Sequence, residues 1–209
     1  ARSIYLLRQV CGSLAEAHSI GIIHRDIKPA NIMLNCRGGQ YDVVKVLDFG
    51  LVKATDRPDD MELTVAGSVT GTPIYLAAEA FNDNQAFSPA SDLYAVGAVG
   101  YYLLTGGPPF RGATFAELCL KHMQEEPQRP SARLGREVAD DLEAAILGCL
   151  AKSPDDRPTD AITLDAHLAA CAAAGEWTQQ DARQWWESRD DQVPDHRRLR
   201  AFLETRHVG

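Results

Sequence analysis

Residues 24–31 read His24-Arg25-Asp26-Ile27-Lys28-Pro29-Ala30-Asn31, and residues 48–50 read Asp48-Phe49-Gly50. The segment between these two polar stretches has the pattern of a β-hairpin. Ile32-Met33-Leu34 and Val43 to Leu47 are apolar runs separated by the turn-rich residues Asn35 to Gln40, which predicts two short antiparallel strands. Because a hairpin brings its two ends together, we expect Asn31 and Asp48 to reach the same cleft.

The segments on either side of this region differ in pattern. Upstream, Ile4, Leu7, Val10 and Leu14 recur at helical spacing, and Gly21 is placed to end that helix. Downstream, residues 51–79 show no sustained period and are rich in Asp, Thr, Ser and Gly. A long irregular segment of this kind is usually either functional or disordered.

Four further helices are predicted between residues 91 and 174, each from an N-cap signal or an apolar stripe. They are expected to run from Ser91 through Leu104, from the capping box Thr114–Glu117, along the stripe Leu142–Leu150, and from Thr159 to about Ala174. The first is apolar nearly all round, which predicts burial on every side.

Gly175 marks a boundary, because Trp177, Trp185 and Trp186 all follow it. We predict that residues 176–209 form a tail of two helices, the second after Pro194. Its aromatic residues are expected to dock onto the main body rather than to bind a ligand. The predicted division is therefore a domain over residues 1–174 and a helical tail over residues 175–209.

Composition excludes several classes of protein. The chain has 21 Lys and Arg against 29 Asp and Glu, a formal net charge of −8, whereas proteins that bind a nucleic-acid backbone usually show the opposite balance. We therefore expect no nucleic-acid partner, and the basic cluster within residues 197–200 is interpreted as a solvated helix face. No apolar run approaches the roughly 20 residues that span a bilayer. Five scattered cysteines without a CxxC pair predict reduced thiols in a cytoplasmic protein.

Five ordered signatures carry a resemblance to a known family. They are the stretches 24–31 and 48–50, Gly71-Thr72-Pro73-Ile74-Tyr75-Leu76-Ala77-Ala78-Glu79, Asp92-Leu93-Tyr94-Ala95-Val96-Gly97, and Pro154-Asp155-Asp156-Arg157-Pro158. Together they resemble the eukaryotic-type serine/threonine protein kinases, in a form that looks bacterial. The resemblance implies a mainly α fold, namely the large, C-terminal lobe of a protein kinase with a short β-hairpin at the catalytic site.

The resemblance also implies a reaction, which is transfer of the γ-phosphate of ATP to Ser or Thr hydroxyls of protein substrates, with Mg²⁺. Asp26 matches the base that orients the attacking hydroxyl, and Lys28 matches a cation that offsets charge on the phosphoryl group. Asn31 and Asp48 match the oxygen ligands of magnesium, so both, with Lys28, are expected to bind the ATP–Mg²⁺ cofactor. Thr72 matches the threonine that contacts the catalytic Asp and Lys.

Other matched residues are expected to support the site without chemistry of their own. Glu79 and Arg157 match a buried ion pair, and Asp92 matches the residue that holds the backbone of the catalytic loop. Phe49 matches a packing residue, and Gly50 allows a sharp turn after the metal ligand.

Arg25, next to the proposed base, implies regulation, because a phosphate on the activation segment can pair with it. The candidate acceptors are Thr64, Ser68 and Thr70. For each of these three residues, the alternative that it is a solvated loop hydroxyl fits the sequence about as well.

The sequence departs from the family in two places. The family's Ala-Pro-Glu ending reads Ala77-Ala78-Glu79, which removes no catalytic group. No Gly-rich loop, strand lysine or partnering helix glutamate can be found upstream of residue 24. We therefore expect that the small lobe, which grips ATP, is missing from these 209 residues, and that they bind ATP poorly and do not turn over alone.

Two other functions remain as alternatives. One is a non-catalytic kinase-like module that binds proteins through its helical surface and Trp-rich tail, and the other is a small-molecule kinase of related fold. The presence of Asp26, Lys28, Asn31 and Asp48 together favours a catalytic protein kinase. A membrane anchor beyond Gly209 would also be compatible with the resemblance.

Overall fold

The computed structural model describes residues 1–49, 72–81 and 87–188. Within these ranges the chain forms seven α-helices and one antiparallel hairpin, the mainly α architecture expected from the sequence. In chain order the elements are α1 (Arg2–Ser19), β1 (Ile32–Arg37), β2 (Gln40–Val46), α2 (Pro89–Thr105), α3 (Phe115–Gln124), α4 (Pro130–Leu134), α5 (Asp140–Cys149), α6 (Ala161–Ala170) and α7 (Gln179–Glu187). Short 3-10 turns lie at Pro29–Asn31, Thr72–Tyr75, Ala78–Phe81 and Pro154–Asp156.

Helix α2 lies at the centre of the core, where every residue from position 91 to position 101 is buried. It packs against α5 and α1, and glycine allows the closest approach. A Cβ atom added to Gly97 would lie 2.5 Å from the Cβ of Cys149. The predicted burial on every side fails only in the last turn, where Tyr102 and Leu103 are 37% and 38% exposed.

Three predicted helix boundaries differ from the structure, by one to four residues. Helix α2 is capped by Ser88 rather than Ser91, because Pro89 suits the first helical position and Ser91 completes a capping box with Ser88 from inside the first turn. Helix α6 is capped by Asp160 rather than Thr159, since Oδ1 of Asp160 accepts from the backbone N–H of Thr163 at 2.7 Å. That helix ends at Ala170 rather than near residue 174.

The predicted start of helix α3 is confirmed, with a small difference in its cap. Oγ1 of Thr114 accepts from the backbone N–H of Glu117 at 3.1 Å. The Glu117 carboxylate accepts in turn from the N–H of Ala113 at 2.7 Å, one residue before the cap. Two backbone donors at the start of the helix are therefore satisfied.

The predicted hairpin is confirmed, but its turn is shorter than expected. Strand β1 pairs with β2 with Ile32 opposite Val46, and only Gly38 and Gly39 remain between the strands. Both glycines have positive φ angles, 59° and 79°, which residues without a Cβ adopt readily. The open end of the hairpin consequently brings Asn31 next to Leu47, whose N–H donates to the Asn31 carbonyl at 2.9 Å.

The segment after Gly175 docks onto the other end of this hairpin, as its aromatic residues predict. Asp42 is fully buried there and accepts hydrogen bonds from the indole N–H groups of Trp177 and Trp186 at 3.0 and 2.8 Å. Arg2 donates to both oxygens of the same carboxylate at 2.8 and 2.7 Å, and its guanidinium lies 3.5 Å from the ring centre of Trp185. The second predicted tail helix and the basic cluster lie outside the described residues.

No helix within the described ranges is long and apolar enough to cross a membrane. All five cysteines lie in the described part of the chain and are free thiols. Burial raises the pKa of the Cys149 thiol to about 12, which makes that residue a packing group rather than a nucleophile.

Candidate active site

The loop that carries Asp26 is held by the carboxylate of Asp92, a residue of α2. The backbone N–H groups of His24 and Arg25 donate to Oδ2 and Oδ1 of Asp92, each at 2.8 Å. Asp92 is 1% exposed, and Nε2 of His18 lies 2.8 Å from its Oδ2. These bonds hold Arg25 in a left-handed conformation with φ of 70°, which is uncommon for a residue with a Cβ.

Only one of the two carboxylate oxygens of Asp26 has hydrogen-bond partners among the described residues. Its Oδ2 lies 2.8 Å from Nζ of Lys28 and accepts from the amide nitrogen of Asn31 at 2.9 Å. The same nitrogen donates to the Asp26 backbone carbonyl at 2.8 Å. Oδ1 of Asp26, by contrast, is buried and has no hydrogen-bond partner among the described residues. An orphaned carboxylate oxygen in a buried position is costly, and it suits an incoming hydroxyl donor.

His24 packs beneath Asp26 and has no free nitrogen for chemistry. Its Nε2 lies 2.7 Å from the carbonyl oxygen of Leu47, so this nitrogen must be the donor. Its Nδ1 then accepts from the N–H of Asp26 at 3.2 Å. Phe49 contacts the imidazole edge-on, with ring centres 4.7 Å apart. His24 therefore connects the loop that carries Asp26 to Leu47 and Phe49, which follow β2.

Asn31 precedes β1 and Asp48 follows β2, so both lie at the open end of the hairpin, which the Leu47–Asn31 backbone hydrogen bond closes. Both side-chain bonds of Asn31 use its amide nitrogen, which leaves the amide oxygen available as a ligand. Asp48 is exposed and has a positive φ of 62°. A carboxylate and an amide oxygen are the donors that Mg²⁺ prefers, so the residues present fit this ion. Within the described ranges no set of three or more His, Cys, Asp or Glu side chains surrounds a common point.

A buried ion pair joins segment 78–81 to the helical core. Arg157 donates from Nη1 and Nη2 to the two oxygens of Glu79 at 2.7 and 2.8 Å, and its remaining N–H groups reach the carbonyls of Ala90, Ala151 and Lys152. Burial acts to raise the pKa of Glu79, but the hydrogen bonds and charge of Arg157, together with hydrogen bonds from the backbone and from Ser91, hold that pKa below its ordinary value. Glu79 therefore stays ionised and fixes the segment that follows Thr72.

Two further expected site residues, Arg25 and Thr72, lie within the described ranges. Arg25 is exposed and forms no ion pair with any carboxylate in the described part of the chain. Thr72 begins the 3-10 turn Thr72–Tyr75. Gly50 and the candidate phosphorylation sites Thr64, Ser68 and Thr70 lie outside the described residues.

Sequence reasoning missed His18, which contacts Asp92 at the base of the loop. No motif marks this residue, and its position in the last turn of α1 is typical of a C-terminal histidine that interacts with the helix dipole. The contact spans 74 residues of sequence. Spacing alone therefore carries no signal for it.

Comparison with known proteins agrees with this architecture. A family model described as "Protein kinase domain" matches residues 2–170. The serine/threonine-protein kinase pkn3 of Myxococcus xanthus is 43% identical over 171 residues, which cover 81% of this chain and 31% of the relative. PkaA of Streptomyces coelicolor is 40% identical over 154 residues, 74% of this chain and 26% of the relative. PknB of Mycobacterium tuberculosis is 38% identical over 167 residues, which cover 80% of this chain and 26% of the relative.

These matches define the class of protein, and the chain belongs to the protein kinase domain family. Its relatives are bacterial serine/threonine-protein kinases. The chain spans about a third or less of the length of these curated relatives, from 26% of PkaA and PknB to 31% of pkn3.

Proposed function

We propose that this chain supplies the catalytic loop, the metal ligands and the substrate-binding face of a serine/threonine protein kinase that phosphorylates proteins at Ser or Thr. The observation that carries the proposal is the state of Asp26. One oxygen is held by Lys28 and Asn31, while the other is buried without a partner in the described part of the chain.

The proposed roles follow from these contacts. Oδ1 of Asp26 accepts the hydrogen bond of the substrate hydroxyl, which orients the oxygen for attack and takes up its proton. The Lys28 ammonium and the Asn31 amide hold the carboxylate through Oδ2, so Oδ1 keeps a fixed orientation. Lys28 also places a positive charge next to the position where negative charge develops on the transferred group.

Magnesium–ATP would be held by the amide oxygen of Asn31 and the carboxylate of Asp48, where the ion would neutralise phosphate charge. The hairpin contributes by keeping these two ligands at one end of a paired structure. Asp92 contributes by fixing the loop that carries Asp26. We further propose the domain division at residue 174 and regulation through Arg25, which is exposed next to Asp26. A phosphate on Thr64, Ser68 or Thr70 would pair with Arg25.

The test is a phosphorylation assay with radiolabelled ATP, Mg²⁺ and a Ser-containing protein substrate. The protein that carries this chain is compared with its Asp26→Asn variant. Loss of a general base is expected to lower kcat by at least about 100-fold. The matched control is Asp155→Asn, an exposed carboxylate far along the sequence from the loop, which should leave kcat unchanged. Retention of full activity by Asp26→Asn would refute the assignment.

The 209 residues by themselves are proposed to turn over poorly, because they contain no Gly-rich loop or strand lysine upstream of the catalytic loop. Purified chain should therefore give little ATP-dependent phosphorylation. A strong signal from the chain alone, abolished by Asp26→Asn, would contradict this part of the proposal. Absence of phosphate transfer from every form of the protein that carries this chain would favour the alternative of a non-catalytic binding module.

A further inference from the structure

Two arginine side chains from different parts of the chain converge on Gly107, just past the end of α2. A Cβ atom added to this glycine would lie 2.7 Å from Nη2 of Arg133 and 3.1 Å from Nη2 of Arg111. Arg133 comes from the short helix α4, and Arg111 follows Phe110 in the loop after α2. Like charges repel at such short range, so this arrangement needs a compensating partner.

The described residues offer little compensation. Neither Arg111 nor Arg133 forms an ion pair with a carboxylate in that part of the chain. The nearby Glu117 forms an ion pair with Lys121, with 3.0 Å between Oε1 and Nζ. Arg133 donates Nη1 to the carbonyl of Pro108 at 2.7 Å. The C-terminal dipole of α2 supplies about half a negative charge. The two guanidinium groups therefore retain a net positive charge, on a chain whose formal net charge is −8.

This positive pair borders the face that carries the catalytic loop. Tyr75 lines a narrow cavity together with Arg25 and Asp26. Ile74, the neighbour of Tyr75, packs against the cluster of Phe110 and Leu118. Because Arg111 directly follows Phe110, Arg111 lies close to the segment that carries Tyr75. Tyr102, 37% exposed, adds aromatic surface at the end of α2. Tyrosine and arginine are the residues that protein interfaces favour.

From this juxtaposition we propose that Arg111 and Arg133 form a subsite for an acidic side chain of the protein substrate, to one side of the acceptor hydroxyl. The inference rests on the proposed role of Asp26 in the kinase reaction and adds a preference among substrates. A carboxylate of the bound peptide accepts N–H groups from both guanidinium groups and relieves their repulsion, and the aromatic rings of Tyr75 and Tyr102 border the peptide backbone. The geometry suits a carboxylate because guanidinium groups donate two parallel N–H groups to it.

The experiment uses a series of peptides with one Ser, in which Glu replaces Gln at each flanking position in turn. With the protein that carries this chain, KM is expected to fall when Glu stands at one particular position. Arg111→Gln should then raise KM for that peptide about fivefold, the effect of one partly exposed ion pair, while kcat and KM for the Gln peptide stay unchanged. Arg136→Gln, which removes an exposed charge outside the pair, is the matched control.

A charge reversal separates recognition from a structural role. Arg111→Glu should shift the preference from Glu to Lys at the same peptide position, which a mere loss of stability would not do. Arg133 is left intact because it also stacks on Tyr101, 5.4 Å from the ring centre. Equal KM values for all peptides with the wild-type protein, or equal effects of Arg111→Gln and Arg136→Gln, would overturn the subsite.

Direct binding distinguishes failure of the subsite from failure of the proposed reaction. A fluorescent Glu peptide with Ala in place of Ser is titrated with the protein, and anisotropy reports its Kd. Weaker binding to Arg111→Gln than to wild type supports the subsite even if no peptide is phosphorylated, in which case only the kinase proposal fails. Equal binding of the Glu and Gln peptides to wild type refutes the subsite alone.

Discussion

Protonation of His122 should make the stability of this protein depend on pH near neutrality. The imidazole is fully buried, with Nδ1 2.7 Å from the hydroxyl of Tyr94 and the ring of Phe110 5.0 Å away. Burial first, and the nearby charge of Lys152 second, lower the pKa of His122 from 6.5 to about 3. The neutral ring is therefore the form that the fold accepts.

The sign and size of the effect follow from proton linkage. The unfolded chain binds a proton at His122 below pH 6.5, whereas the folded chain does so only near pH 3. The free energy of unfolding is therefore highest above pH 6.5 and falls as the pH falls through this window, by up to about 1.4 kcal/mol per pH unit. Between pH 7 and pH 5 the loss amounts to about 2 kcal/mol.

Urea unfolding followed by tryptophan fluorescence at pH 7, 6 and 5 measures this loss. The pKa values of the half-buried Glu79 and the buried Glu143 are lowered in the folded chain, so their main effect on stability comes at lower pH. Between pH 7 and pH 5, the free energy of unfolding of His122→Phe is expected to fall by about 2 kcal/mol less than that of wild type. His167→Gln removes an exposed histidine from α6 and should retain the wild-type pH dependence.

The difference between pH values is the decisive quantity, because His122→Phe also deprives the Tyr94 hydroxyl of its partner. That loss costs about 1–3 kcal/mol at every pH. His122→Gln, which keeps a polar group, provides a second variant if the first does not fold. An equal loss of stability in wild type and in both variants between pH 7 and pH 5 would show that His122 does not cause the pH dependence.

Three further predictions concern stability. Gly97→Ala should destabilise by about 1–3 kcal/mol, because its Cβ would meet α5 at 2.5 Å. Gly148→Ala, where a Cβ meets nothing within 4 Å, should be neutral or stabilising by up to about 1 kcal/mol, and equal thermal unfolding of the two variants would contradict this. Arg157→Met should cost about 3–5 kcal/mol in urea unfolding, since it leaves Glu79 without its cation; a cost below that of Glu79→Gln would argue against it. Asp160→Ala should cost about 1 kcal/mol through loss of the α6 cap, and an unchanged melting temperature would show that this cap does not stabilise the fold.

Local patterns were sufficient to predict the hairpin and most helices. The apolar runs on both sides of residues 35–40 specify paired strands, and the positions of the caps near residues 88 and 160 were missed by only a few residues. Ser88 and Ser91, like Thr159 and Asp160, are both good capping residues by chemistry. The choice between neighbours depends on where α2 and α6 must begin in order to pack, which the local sequence does not record.

The contacts of the candidate site and its surroundings were likewise predictable only in part. The spacing of Asp26, Lys28 and Asn31 within one short loop made their proximity predictable, and the structure brings all three together. The convergence of Arg111 and Arg133 on Gly107 was not predictable. These two residues come from separate elements, and neither belongs to a recognisable motif.

Short-range spacing in the sequence was sufficient to assign the family of this protein, the order of its candidate site residues and the local elements that carry them. The contacts of Asp92 with His18 and with the backbone of residues 24 and 25, and those of Asp42 with Arg2 and two tryptophans, depend on the tertiary structure. The physical reason is burial. A charged group removed from water must find partners wherever the packed chain provides them, and in this protein those partners lie 40 to 144 residues away.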